Sequence, residues 1–113
     1  MALLHIQELS QKLKLTIKAG NKGLDSEVKG CYICDLLSLT MAKLQEGNAW
    51  ITVQTNLNTV AVALLTGAAC IIIPEGLEPD PDTMKKADAE GICIFTTEAT
   101  AYEIACMIRE IGI

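Results

Sequence analysis

A chain of 113 residues that is half hydrophobic, with 20 % charged residues and a mean hydropathy of +0.34, is expected to bury a sizeable core as one domain and is no disordered tail. The net charge of −5 and the single arginine, Arg109, argue against a non-specific nucleic-acid binder, which needs basic residues to displace phosphate counterions. The longest apolar run, residues 60–73, is divided by Gly67 and falls short of the about 20 residues that span a bilayer, so no membrane role is expected.

Leu3, Leu4, Ile6, Leu9 and Leu13 recur near helical spacing with Glu8, Gln11 and Lys12 between them, which predicts an amphipathic opening helix. Residues 15–17 form a short strand candidate, ended by turn chemistry at Ala19-Gly20-Asn21-Lys22-Gly23. That turn lacks the Gly-Lys-Ser/Thr ending of a P-loop. Residues 28–33 read as a strand with Gly30 as a bulge. Asp35 is then expected to cap a helix that turns Leu36, Leu37, Met41 and Leu44 inward and ends at Gly47.

Trp50-Ile51-Thr52-Val53 suits a buried strand with Trp50 as a core or interface anchor, followed by the polar loop Gln54-Thr55-Asn56-Leu57-Asn58. Residues 59–67 are apolar on every face, which calls for a helix enclosed by other elements, with Asn58 well placed as its N-cap. Free backbone N–H groups at that helix start lie beside the loop. Residues 69–73 form a continuous apolar strand that stops at Pro74-Glu75-Gly76. Asp80 before Pro81 predicts an N-cap and a helix over 81–90 closed by Gly91. Residues 92–95 form another buried strand. Thr100 and Glu103 match a capping box ahead of a final helix holding Tyr102, Ala105, Ile108 and Ile111.

From about residue 28 the order is strand, helix, four times over, with strands apolar throughout. Such alternation predicts an α/β fold of parallel strands joined by right-handed crossovers and covered on both faces. Ligands of such sheets sit beyond the carboxyl ends of the strands. Here those ends are Cys34-Asp35, residues 54–58, Pro74-Glu75-Gly76 and Thr96-Thr97. They offer neutral or acidic side chains and backbone amides, so a bound anion would rely chiefly on helix N-termini. The candidate ligand-binding set is Asp35, Gln54, Thr55, Asn56, Asn58, Glu75, Gly76 and Thr97.

Gln7 and Glu8 interrupt the only apolar stretch near Met1 and no basic segment precedes it, so no targeting segment is expected. Five cysteines then predict a reducing, cytoplasmic setting without disulfides. Cys31 and Cys34 have redox-motif spacing, but Cys31 belongs to a strand and Cys34 to its end, outside a thioredoxin-like context, and redox chemistry is disfavoured. A zinc site would need a second paired motif. His5, the one histidine, lies on the opening helix away from the strand ends, which disfavours a Ser-His-Asp or Cys-His site. Glu75, Glu78, Asp80 and Asp82 read better as an exposed acidic loop than as a hard-cation site. No metal and no cofactor is expected.

The string Val28-Lys29-Gly30-Cys31-Tyr32-Ile33-Cys34-Asp35-Leu36-Leu37-Ser38, followed by Trp50-Ile51-Thr52, Gln54, Asn58-Thr59-Val60-Ala61-Val62-Ala63, Ile71-Ile72-Ile73-Pro74-Glu75-Gly76 and Ile111-Gly112-Ile113, resembles a stand-alone DRTGG domain over nearly the whole of residues 1–113. The resemblance implies a three-layer α/β sandwich with a mostly parallel central sheet flanked by helices, and a tendency to dimerise. Relatives of this kind sit between CBS domains in regulated pyrophosphatases and in the regulatory part of phosphotransacetylases, and are related to the non-catalytic N-terminal domain of HPr kinase. None of these settings makes the domain a catalyst. Where the family's name has an Asp-Arg-Thr loop and a Gly-Gly pair, this chain reads Gln54-Thr55-Asn56-Leu57-Asn58 and Pro74-Glu75-Gly76. Gln54, Asn56 and Asn58 resemble the Gln, His, Asn pattern of the stand-alone subgroup, with Asn56 in the place of a histidine that would titrate near neutrality.

The expected function is therefore a non-enzymatic regulatory domain that senses a nucleotide-like small-molecule effector at the strand ends, as a homodimer and with a partner enzyme as one target. The alternative is a pure interaction and dimerisation module with no ligand.

Overall fold

Strands without polar alternation form the centre of the sheet. In the computed structural model, which describes residues 4–113, β3 (Asn48–Ile51), β4 (Cys70–Ile73) and β5 (Cys93–Thr96) carry Trp50, Ile71, Ile72, Ile94 and Phe95 at 1 % exposure or less. Such continuous burial fits strands covered on both faces. The edges are β2 (Gly30–Ile33) and β1 (Thr16–Ala19), both partly open to solvent. Strand order is β1-β5-β4-β3-β2, with β2, β3, β4 and β5 parallel and β1 antiparallel to β5. The fold is thus a mostly parallel, mixed five-stranded α/β sheet flanked by helices, as the alternation of elements predicts. The antiparallel edge strand runs over 16–19 and not 15–17, with a register shift between Ile17 and Ala19.

The two-residue period of the strands sorts their side chains into two cores. Ala49, Ile51, Cys70, Ile72, Cys93 and Phe95 pack under α1 (Ile6–Lys12) and α5 (Ala101–Ile111), meeting Ile6, Leu9, Ile104 and Ile108. Trp50, Ile71, Ile73 and Ile94 face the other way. They meet Leu44, Val60, Ala63 and Ala87 from the layer of α2 (Leu37–Lys43), α3 (Leu57–Thr66) and α4 (Pro81–Glu90). Each large side chain so enclosed contributes roughly 1.5–3 kcal/mol relative to exposure.

Several local expectations change. Leu3 lies outside the described residues. Gly30 makes no bulge: it pairs in regular register with Asn48, and a Cβ there would stand 2.6 Å from the Asn48 side-chain nitrogen, so the glycine makes room for that amide. Leu36, not Asp35, occupies the N-cap position of α2, because the Asp35 carboxylate is engaged elsewhere. Leu36 and Met41 are exposed, Thr40 is buried, and the helix ends at Lys43, short of Gly47. Asn56, not Asn58, caps α3, and that helix is not enclosed on every side, since Leu57, Leu64 and Leu65 face solvent. In α5 the capping box is present but sets a register that turns Ile104 and Ile108 inward and leaves Tyr102 78 % exposed. α4 keeps its expected bounds, from Pro81 after Asp80 to Glu90 before Gly91.

Candidate functional site

The four parallel strands deliver their carboxyl ends to one rim of the sheet. Beyond β2 and β3 a chain of hydrogen bonds links the candidate residues. The Trp50 indole donates to the Cys34 carbonyl at 2.9 Å, which ties the exit of β2 to the core. One Asp35 carboxylate oxygen accepts from the Thr52 hydroxyl at 3.0 Å and from the Val53 amide at 2.9 Å. Gln54 donates its side-chain amide to the Asp35 carbonyl at 2.7 Å, while its Oε1 accepts from Asn56 at 3.0 Å. The Asn56 Oδ1 then accepts from the Asn58 amide at 3.0 Å, satisfying an otherwise free N–H in the first turn of α3. Asp35, Gln54, Asn56 and the Asn58 backbone therefore form one connected set, and the Asn58 side chain stands exposed next to it.

Thr55 is held differently. Its carbonyl accepts from the Asp80 amide at 3.0 Å and the Thr83 hydroxyl at 2.8 Å, so this peptide anchors the start of α4 to the loop.

Beyond β4 and β5 a second cluster forms. The Glu75 amide donates to the Ala99 carbonyl and the Gly76 amide to the Thr97 carbonyl, each at 2.9 Å. Glu75 and Gly76 have φ of 66° and 70°, the left-handed region that favours glycine. Gly76 and Thr97 line a cavity of about 180 Å³ with Thr16, Lys18, Glu78 and Glu98. Lys18 pairs with Glu78 at 2.8 Å, and a Cβ on Gly76 would meet the Glu98 carboxylate. With Glu75, Glu78 and Glu98 against one lysine, this part of the rim is acidic. Asp35, Gln54, Thr55, Asn56 and Asn58 do not line this cavity.

Thr16, Lys18, Thr52 and Glu98 join the rim without having been singled out from the sequence. Glu98 lies two residues beyond the end of β5, a position that marks it for attention. Lys18 carries no such signal, because only the antiparallel placement of β1 brings it there.

The remaining chemistry is placed as follows. Burial pushes the Cys31 thiol up to about 11, so at neutral pH it is no nucleophile, and the Cys34 thiol donates to the Leu36 carbonyl at 3.5 Å. His5 stands at the N-terminus of α1 against Glu8. Among the described residues no group of three or more His, Cys, Asp or Glu side chains is gathered closely enough to hold a metal ion, and no helix is long and apolar enough to cross a membrane. A further cavity of about 410 Å³ opens at the opposite rim, walled by Glu27, Lys29, Glu46, Gly67 and Gly91.

Comparison with known proteins adds to this geometry. The chain is similar to the crystal structure of the CBS and DRTGG domains of the regulatory region of Clostridium perfringens pyrophosphatase complexed with its activator, diadenosine tetraphosphate. The TM-score is 0.67 at 14 % identity, over 88 % of this chain and 44 % of that one. The chain thus spans less than half of that structure, and the likeness is one of fold. No curated protein matches. The family model described as the DRTGG domain matches residues 8–111, and with nearly every element inside that span the chain belongs to the DRTGG domain family.

Proposed function

We propose that this chain is a non-enzymatic regulatory domain, one domain over residues 1–113, that senses a nucleotide-like metabolite at the carboxyl rim of its parallel strands and acts as a cytoplasmic homodimer on a partner enzyme. The observation that carries this reading is the convergence of four strand ends on one rim, where Asp35, Gln54 and Asn56 form a preorganised polar set beside the first turn of α3. The likeness to a regulatory region complexed with a nucleotide activator supports the ligand class. Because the rim is acidic, phosphate groups would be met by backbone N–H groups at helix N-termini and by Lys18. Binding between subunits or under the Gln54 loop favours one arrangement of the dimer over another, a population shift that a partner enzyme reads.

A thermal-shift screen over nucleotides and phosphorylated metabolites, with diadenosine tetraphosphate first, tests the reading. A ligand at about 100 times its dissociation constant adds roughly 2.7 kcal/mol, a rise on the order of 10 °C in Tm for a chain this size. Silence across the panel would leave the second reading, a pure interaction module. One observation favours that alternative: the polar side chains of Asp35, Gln54 and Asn56 are already paired with one another.

A further inference from the structure

One side chain at the carboxyl rim is buried without being satisfied. Thr96 ends β5 at 5 % exposure, and its hydroxyl has no hydrogen-bond partner among the described residues. Of the unpartnered side-chain oxygens there, Thr59 Oγ1 alone is wholly closed off. The Thr96 oxygen therefore keeps an opening, and it opens into the cavity of about 180 Å³ that Thr96 lines. Strand register sets Thr16 directly across from it. On another wall the Glu98 carboxylate lies against Gly76, where a Cβ would collide with it, and it takes part in none of the ion pairs among the described residues. Lys18 closes the cavity with its ammonium held by Glu78 at 2.8 Å.

This lining selects its occupant. Two carboxylates against one ammonium disfavour an anion inside, and the described residues gather no group of three ligating side chains for a metal. An apolar occupant would strand the Thr96 hydroxyl and the Glu98 carboxylate without partners. A neutral group rich in hydroxyls suits both, because the two oxygens of a carboxylate accept from two neighbouring hydroxyls and a threonine hydroxyl donates or accepts. The volume is below the about 300–1,000 Å³ that encloses a whole drug-sized ligand, so the cavity takes one sugar ring and not an entire dinucleotide. In other parallel α/β sheets a carboxylate near the strand ends holds ribose in the same way.

We propose that this cavity takes the ribose of the nucleotide sensed. The 2′- and 3′-hydroxyls donate to the Glu98 carboxylate, Thr96 and Thr16 complete the contacts to the ring, and phosphate stays at the mouth beside Lys18. The proposal rests on the nucleotide reading above and puts the sugar on the β4–β5 side of the rim, away from Gln54 and Asn56, whose polar groups are already paired.

Nitrogen-15 NMR titrations of the full chain test it. The probes are D-ribose 5-phosphate, diadenosine tetraphosphate, and the ribo- and 2′-deoxyribonucleoside monophosphates of adenine, guanine and cytosine. Ribose-bearing probes are expected to shift the amides of Gly76, Thr97 and Glu98, and loss of the 2′-hydroxyl to weaken binding about tenfold or more. Glu98→Gln, at an exposed position, weakens the ribose-bearing probes by a similar factor. Thr96→Val keeps the shape, leaves the urea midpoint unchanged because the hydroxyl has no partner in the fold, and weakens binding severalfold. Equal affinity for ribo and deoxy probes, shifts confined to residues 54–58, or a Thr96→Val variant that loses stability and keeps its affinity overturns the ribose site while the nucleotide reading stands. Ribose 5-phosphate binding here without any nucleotide upholds the diol site and overturns a nucleotide as its source. Silence of both clusters toward every probe overturns the two together.

Discussion

Glu75 holds a left-handed backbone conformation, φ 66°, in a turn where its amide must reach the Ala99 carbonyl. A non-glycine residue there costs roughly 1–2 kcal/mol, partly offset by the greater freedom glycine has in the unfolded chain. Glu75→Gly is therefore expected to raise stability by about 1 kcal/mol, read as a higher urea midpoint at unchanged m-value. If the midpoint falls, the Glu75 side chain makes a stabilising interaction that outweighs its backbone strain. Thr59 offers the opposite test. Its hydroxyl is buried in the first turns of α3 without a hydrogen-bond partner, a defect worth roughly 1–3 kcal/mol. Thr59→Val keeps the shape and removes the orphan, so a gain of about 1 kcal/mol is expected in the same measurement. Neither position was legible in the sequence: strain and orphaned polar atoms depend on which carbonyl a turn must meet and on what closes over a helix.

At the scale of the element, α4 and α5 were readable because their boundaries are written locally, in Asp80-Pro81 with Gly91 and in Thr100 with Glu103. α2 and α3 were not. Asp35 has the chemistry of a cap but spends its carboxylate on Thr52 and Val53, 17 and 18 residues away in sequence and just beyond the end of β3, so tertiary pairing overrides the local signal. Asn56 and Asn58 are both good caps by type, and only the path of the loop decides between them. The structure makes a sharp distinction. Asn56→Ala removes both the cap on the Asn58 amide and the link to Gln54, with an expected loss of about 1–2 kcal/mol. Asn58→Ala touches an exposed side chain and is expected to stay within about 0.5 kcal/mol. Equal losses from the two substitutions in chemical denaturation would contradict the assignment of the cap. For binding, an Asn58→Ala variant that keeps its stability and loses the thermal-shift response places that side chain in the ligand site.

Across the whole molecule, three of the five cysteines lie in one row. Cys31 pairs with Ala49, Ala49 with Cys70 and Cys70 with Cys93, so four adjacent strands place small side chains side by side under α1 and α5. The sequence discloses the cysteines and their free state, but their alignment follows from strand register, which no local pattern encodes. The row has a thermodynamic consequence. Burial pushes Cys31 and Cys93 up to about 11, and Cys70 is raised as well, by burial first and then by its neighbouring thiols. Each group is neutral in the fold at pH values where an unfolded thiol ionises. Below the unfolded value, near 9, both states are protonated and the full stability is present. As pH rises through 9 toward 11 the unfolded chain loses protons that the folded chain keeps, so stability falls. Cys31 alone accounts for roughly 2 kcal/mol of that fall, since each pKa unit is worth about 1.4 kcal/mol. Urea midpoints measured between pH 8 and 11 are therefore expected to drop steeply. Cys31→Ala should flatten the slope by about one proton, whatever the lysines and tyrosines contribute, because those residues are common to both proteins. An unchanged slope would mean that the Cys31 thiol is open to solvent and that α5 does not close over the edge of the sheet.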